Sequence, residues 1–221
     1  ARRLTPVWDR PFVSHDSAHA IPIETSTGLE SRKLAIWAFI GSECLFFASL
    51  ISTYLVYKGK SLVGPFPHEA WTSPTGHEFE PILQIPLVTT GTALLLFSSF
   101  FVVMALAGAQ RGDRRALLGW LGATIFCGVF FVGMQVYEFY HFVHEGLGYT
   151  TNLFGSTFYT LTGFHGTHVT IGLIWLVTIW ILGLRGKLPP DKSLNLEIAA
   201  LYWHFVDVVW IVIFPVVYLM R

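Results

Sequence analysis

Charge is almost absent from the long apolar stretches of this chain, and that absence limits its fold more than any other feature. Of 28 charged residues, all but Glu43, Glu138, Glu197 and Asp207 lie in the first 33 residues, in short polar breaks or at the last residue. Several uninterrupted apolar runs exceed the ~20 residues a helix needs to cross a bilayer core. A soluble domain usually carries about 25% charged residues, and this one carries 13% against 53% apolar. Spans are expected at about 34–57, 82–108, 116–140, 156–184 and 196–220, separated by breaks rich in Pro, Gly or charge. A closed β-barrel would need alternating segments of ~10 residues instead. The fold class is therefore all-α, a polytopic membrane bundle of five helices.

Residues 1–33 lack an apolar core of signal-peptide length and read as a soluble arm ahead of a transmembrane domain, 34–221. Lys and Arg collect on the cytoplasmic side of a membrane. Here eleven of them, including Arg32, Lys33, Arg111, Arg114, Arg115 and Arg185, fall on the face that holds the N-terminus, against Lys58, Lys60 and Arg221 on the other. The N-terminus is expected in the cytoplasm and the C-terminus outside. A formal net charge of zero without a basic cluster sets nucleic-acid binding aside. Cys44 and Cys127 sit in separate spans and make neither a disulfide framework nor a thiolate site. Trp37, Tyr54, Tyr57, Trp120, Tyr140 and Tyr218 fall near span ends, where aromatic side chains line the membrane surface.

Ionisable side chains at membrane depth are costly, and by default they mark function. With a rise of ~1.5 Å per residue, Glu43, His168, His204 and Asp207 all lie about 12–16 Å from the cytoplasmic ends of their spans. They are expected to form one buried polar layer, with His165 a turn away from His168. His165 and His168, His204 and Asp207, and Glu138 and His141 are each spaced i,i+3 and can share a helix face, so His204 is the expected partner of Asp207. Glu-x-x-His pairs also build di-iron sites in bundles. Only one such pair is present, at the outer end, and Glu43 and Asp207 do not supply the remaining carboxylates. The histidines and Asp207 can equally serve as interhelical hydrogen bonds. Glu43 has no Lys or Arg in any span to pair with, so it must take up a proton or contact a histidine or a lipid amine. Residue chemistry alone leaves three readings open: a polar-stitched subunit, an independent membrane metal enzyme, and a small proton-coupled transporter. The last lacks inverted repeats and broken helices.

The segments FIGSECLFF (39–47), GSTFYTLTGFHGTHVTIG (155–172) and YWHFVDVVWI (202–211) resemble subunit III of haem–copper respiratory oxidases, with support from GVFFVGMQVYEF (128–139) and LLLFSSF (94–100). The resemblance covers all five spans in order and is closest to the five-span bacterial form, which lacks the first two spans of mitochondrial-type members. It implies a non-catalytic subunit in the bacterial cytoplasmic membrane. Such a subunit packs against subunit I, in one complex with subunit II, and leaves haem and copper to those partners. The complex reduces oxygen to water with electrons from cytochrome c or a quinol, coupled to proton pumping. On the family pattern Glu43 is the intramembrane carboxylate that reacts with hydrophobic carbodiimides. His165, His168, His204 and Asp207 match the polar residues of the two signature segments, and Glu138 and Glu197 match two further acids. Support of proton uptake, stability of subunit I and a set of structural phospholipids are further implications. The chain departs from the pattern at Gly91, where relatives commonly have Asn.

Overall fold

The computed structural model describes residues 30–69, 71–72, 78–79, 83–186 and 193–220. Most of the expected N-terminal arm, with its His15 and His19, lies outside them, as do Lys187 and Lys192. Five long helices dominate: α1 (Ser31–Tyr57), α2 (Ile85–Gln110), α3 (Arg114–His144), α4 (Leu153–Leu184) and α5 (Leu194–Phe214), the last running into a π-helical turn, Pro215–Leu219. Each of the five is long and apolar enough to cross a membrane. At ~1.5 Å per residue, the 26 residues of α2 reach well beyond a ~30 Å hydrocarbon core.

The helix ends follow from local chemistry. Asp113 caps α3 by accepting from the backbone N–H groups of Arg115 (3.0 Å) and Ala116 (3.1 Å), and Asn152 caps α4 through Gly155 N–H (2.7 Å). These side chains occupy donors that a helix start leaves unpaired. Gly112, at φ 71°, turns α2 sharply into α3, a backbone state that costs L-residues more than glycine. Pro86 sits in the first turn of α2, where a missing N–H costs nothing. The all-helical expectation meets one small addition, since β1 (Trp71–Thr72) and β2 (Glu78–Phe79) pair antiparallel in the α1–α2 connection, Trp71 opposite Phe79.

In packing, α2 and α3 form a close antiparallel hairpin, α4 lies against α3, and α5 fills the middle between α2, α4 and α1. Twelve of the 21 residues of α5 are buried. On α1 only Ile36, Ile40, Phe47 and Tyr54 are buried, so this helix sits at the edge with most of its circumference uncovered. Three indole N–H groups find acceptors on neighbouring helices: Trp203 donates to Ser98 Oγ (2.9 Å), Trp210 to Thr92 Oγ1 (2.9 Å) and Trp180 to the Leu118 carbonyl (3.1 Å). Trp203 fits because Gly128 and Gly172 leave room for its ring, so that a Cβ at either glycine would meet it at 2.8 and 3.1 Å.

Arg114 joins the start of α3 to the end of α4. Its Nε donates to the Gly183 carbonyl (3.1 Å) and its Nη2 to the Leu184 carbonyl (2.5 Å), two acceptors a helix end leaves open. Arg114→Ala is expected to cost roughly 1–2 kcal/mol, discounted for the exposed position, and to speed amide exchange in the last turn of α4. Unchanged exchange there would mean the arginine contributes nothing to that end.

Candidate functional site

The expected single polar layer is resolved into two separate contacts. On the α1–α4 side, His168 Nε2 and Glu43 Oε2 are 3.2 Å apart, both half-buried, and this is the histidine contact that Glu43 needed. The opposite ring nitrogen, Nδ1, lies 2.8 Å from the Phe164 carbonyl. If it carries the proton, Nε2 is an acceptor and Glu43 must bring the shared proton; a doubly protonated ring instead makes the pair an ion pair. Phe46 and Phe47 flank the imidazole, Phe47 edge-on at 5.0 Å between ring centres.

On the α2–α5 side, Ser99 stands between two residues of α5. Its hydroxyl donates to Asp207 Oδ2 and lies 2.9 Å from His204 Nδ1. The expectation that His204 partners Asp207 directly is corrected: although i,i+3 spacing puts both on one face, each bonds to Ser99 on the neighbouring helix. Asp207 is buried and its other oxygen, Oδ1, has no partner among the described residues. Tyr202, from the same signature segment, donates to the backbone carbonyl of His168 (3.1 Å). The YWHFVD segment thus stitches α5 to α2 through Trp203, His204 and Asp207, and to α4 through Tyr202.

His165 does not share the environment of His168. It is fully enclosed, neither ring nitrogen has a partner among the described residues, and its ring lies flat on Trp210 with centres 4.8 Å apart. Glu138 is buried as well, and it accepts from the Tyr218 hydroxyl (2.8 Å) rather than joining His141. His141 faces Glu145 at 4.0 Å. Glu197 pairs with Lys33 at 2.7 Å and ties the starts of α5 and α1 together. Of the aromatic residues expected at the membrane surface, Trp37, Tyr57 and Tyr140 are exposed, but Tyr54 and Tyr218 are buried inside the bundle.

Among the described residues no three His, Cys, Asp or Glu side chains converge as a metal would require. The Glu-x-x-His and His-x-x-His spacings each send their two members to different neighbours, so the donor set does not fit a resident metal. At Gly91, the departure from the family pattern, the space a side chain would need is filled by the thioether of Met134.

Sequence reasoning missed Ser99, Ser98, Thr92 and Gln135. Gln135 is buried and donates to the Thr162 carbonyl (2.8 Å). A usable signal did exist for the hydroxyls: Ser98 and Ser99 lie in a span facing a segment with two tryptophans, and indole N–H groups need acceptors.

The family model described as cytochrome c oxidase subunit III matches residues 8–221. Cytochrome c oxidase subunit 3 of Bacillus sp. (strain PS3) is 41% identical over 199 residues, 89% of this chain and 90% of the relative. Quinol oxidase subunit 3 of Bacillus subtilis is 40% identical over 187 residues, 85% and 86% of the two chains. Cytochrome bo(3) ubiquinol oxidase subunit 3 of Pseudomonas aeruginosa is 35% identical over 216 residues, 96% and 93%. With the match running through all five helices and both signature segments, this multi-pass membrane protein belongs to the cytochrome c oxidase subunit III family.

Proposed function

We propose that this chain is the non-catalytic subunit III of a proton-pumping haem–copper terminal oxidase in a bacterial cytoplasmic membrane. The observation that carries the reading is the family match over residues 8–221. Haem and copper belong to partner subunits, and the electrons come from cytochrome c or a quinol, both kinds of oxidase being present among the relatives. Residues 1–33 form a cytoplasmic arm and 34–221 the transmembrane domain, with the C-terminus outside.

The chain's own part is indirect. It packs on subunit I, beside subunit II, supports proton uptake and stability there, and holds structural phospholipid. The Glu43–His168 contact and the Ser99–His204–Asp207 cluster keep α1, α2, α4 and α5 in register, while Glu138 and Glu197 do the same near the helix ends. The reduced-minus-oxidised spectrum of this chain purified from native membranes in mild detergent tests the reading. Haem bands and a large multi-span partner are expected; a colourless, partnerless chain would overturn it.

Glu43 is proposed as the intramembrane carboxylate. Its side chain is reachable from the uncovered side of α1, and a hydrophobic carbodiimide should modify it. Glu43→Gln is expected to abolish labelling of this subunit while leaving the complex assembled, as read by peptide mass mapping. Labelling that persists on the variant would remove Glu43 from that role.

A further inference from the structure

Tying helices together accounts for only half of the Glu138 side chain. The residue is 3% exposed, and its Oε2 accepts from the Tyr218 hydroxyl (2.8 Å). The other oxygen, Oε1, has no partner among the described residues, and no Lys, Arg or His among them pairs with the group. A buried carboxyl is costly to leave half-satisfied. A route from water to this one would make it a site that takes up and gives back a proton.

The groups around Glu138 leave one direction for such a route. Helix α2 carries no titratable side chain. From α4 comes Tyr159, within electrostatic reach of the acid, but its hydroxyl is committed to the Leu147 carbonyl (2.7 Å). His165, also on α4, lies on Trp210, whose ring packs between it and Tyr218 at centre distances of 4.8 and 6.2 Å. On α3 itself, His141 turns to Glu145. That leaves Tyr218, in the π-helical turn after α5, which is 1% exposed and lies within electrostatic reach of Tyr54 on α1. The two phenols also share a wall: Phe154 packs on Tyr54 (6.4 Å between centres), and Phe158 packs on both Phe154 (5.5 Å) and Tyr218 (6.3 Å).

Tyr54 is where this chain of hydroxyls meets open space. It is 2% exposed, and its hydroxyl has no hydrogen-bond partner among the described residues, although a buried phenol normally finds one. The residue lines a cavity of about 710 Å³ at the end of the bundle where α1 and α5 finish, with Lys58, Ser61, His68 and Glu69 also in its wall. That volume is many times the ~30 Å³ share of one water, and the polar wall supplies partners for several. Water there gives the Tyr54 hydroxyl the partner it lacks. Glu43 is 11 positions before Tyr54 on α1, ~16 Å along the axis, so the Glu43–His168 contact is a separate feature.

We propose that Glu138 is a proton-exchange site served from this cavity through Tyr54 and Tyr218. To load it, a hydronium in the cavity gives a proton to the Tyr54 oxygen and becomes water. Tyr54 passes its own proton, directly or across one water, to the Tyr218 oxygen, and Tyr218 gives its proton to Oε2 of the ionised carboxylate. Each phenol gains one proton and loses one, so both end neutral and the carboxylate ends as the acid. Release runs the same steps backwards. The site stores one proton at the end of the bundle where α1 finishes, a role beyond the helix register proposed for Glu138 above.

Infrared difference spectroscopy of the whole detergent-solubilised complex, titrated with acid and separately mixed into D2O, tests the proposal. The carboxylic C=O band that disappears in Glu138→Gln, which keeps an acceptor for Tyr218, belongs to Glu138. It should grow as pH falls and shift in D2O within the mixing time. Tyr54→Phe removes a hydroxyl with no protein partner, so it should fold like the parent. It should slow the D2O shift by about tenfold or more while leaving the band itself in place. A second check plugs the cavity: Leu55 lines it, and Leu55→Cys in a Cys44→Ser background can be modified with a bulky disulfide-forming reagent. The shift should slow on modification and recover on reduction. No pH-dependent band that depends on Glu138 would overturn the site. A shift equally fast in Tyr54→Phe, or unaffected by the plug, would overturn the route. The haem spectrum of the same preparation tests the oxidase reading separately.

Discussion

Ser99→Ala is expected to destabilise the bundle by about 3 kcal/mol, because it removes the hydrogen bond to a buried carboxylate and leaves the acid in place. Asp207 Oδ1 already has no partner among the described residues, so losing the hydroxyl would strand the whole group and leave His204 Nδ1 unpaired too. The informative comparison is with the double variant Ser99→Ala, Asp207→Leu. Removing both members of a buried polar pair in favour of apolar groups is often close to neutral, so the double variant should recover to within about 1 kcal/mol of the parent. Thermal unfolding of the detergent-solubilised complex gives the three values. If the double variant is as unstable as the sum of the singles, Ser99 and Asp207 act independently and the cluster is not a unit.

A comparable or larger effect is expected from Gly108→Val. A Cβ there would lie 2.8 Å from the backbone nitrogen of Leu117 and 3.1 Å from the Ala116 Cβ. Backbone cannot rotate away as a side-chain tip can, so the α2–α3 hairpin would have to open near its turn. The expected cost is about 3 kcal/mol or more, enough that little folded chain should accumulate in membranes. Gly133→Val is the control, since nothing lies within 4 Å of the added Cβ, and its yield should be close to normal. Equal yields of the two variants would show that helix propensity, not hairpin contact, governs both.

Different physical signals made different parts of this protein legible in its sequence. The five helices follow from charge-free length, but their starts do not: capped by Asp113 and Asn152, α3 and α4 begin at Arg114 and Leu153, two and three residues before the expected 116 and 156. The polar residues Glu43, His168, His204 and Asp207 stand out because few side chains of their kind occur in the spans. Their partners do not stand out. The helices are apolar nearly all round, so no amphipathic stripe tells which face meets which neighbour, and rotation about each axis is invisible. Serines and threonines in spans commonly bond to their own helix, as Ser42 does to the Phe39 carbonyl and Thr53 to the Ser49 carbonyl. Nothing local distinguishes Ser99 from them. Tyr54 and Tyr218 mislead for a related reason, since nearness to a span end does not say whether a ring faces lipid or the interior. The missing side chain at Gly91 became understandable only with Met134 in view.

The edge position of α1 has a consequence for how the protein is made. Its polar ties run to the last two helices: Lys33 to Glu197, Glu43 to His168, and Lys58 to the carbonyls of Val216 and Met220. Glu43 and His168 are 125 positions apart. At a synthesis rate of ~5–20 residues per second, that gap is roughly 6–25 s. Helix α1 therefore waits in the bilayer with its carboxyl unmatched by His168 while three more spans are translated. Nascent α1 thus depends on the insertion machinery or surrounding lipid to shelter Glu43 through that interval. A premature stop before α4 would leave a membrane-inserted fragment in which Glu43 lacks its histidine.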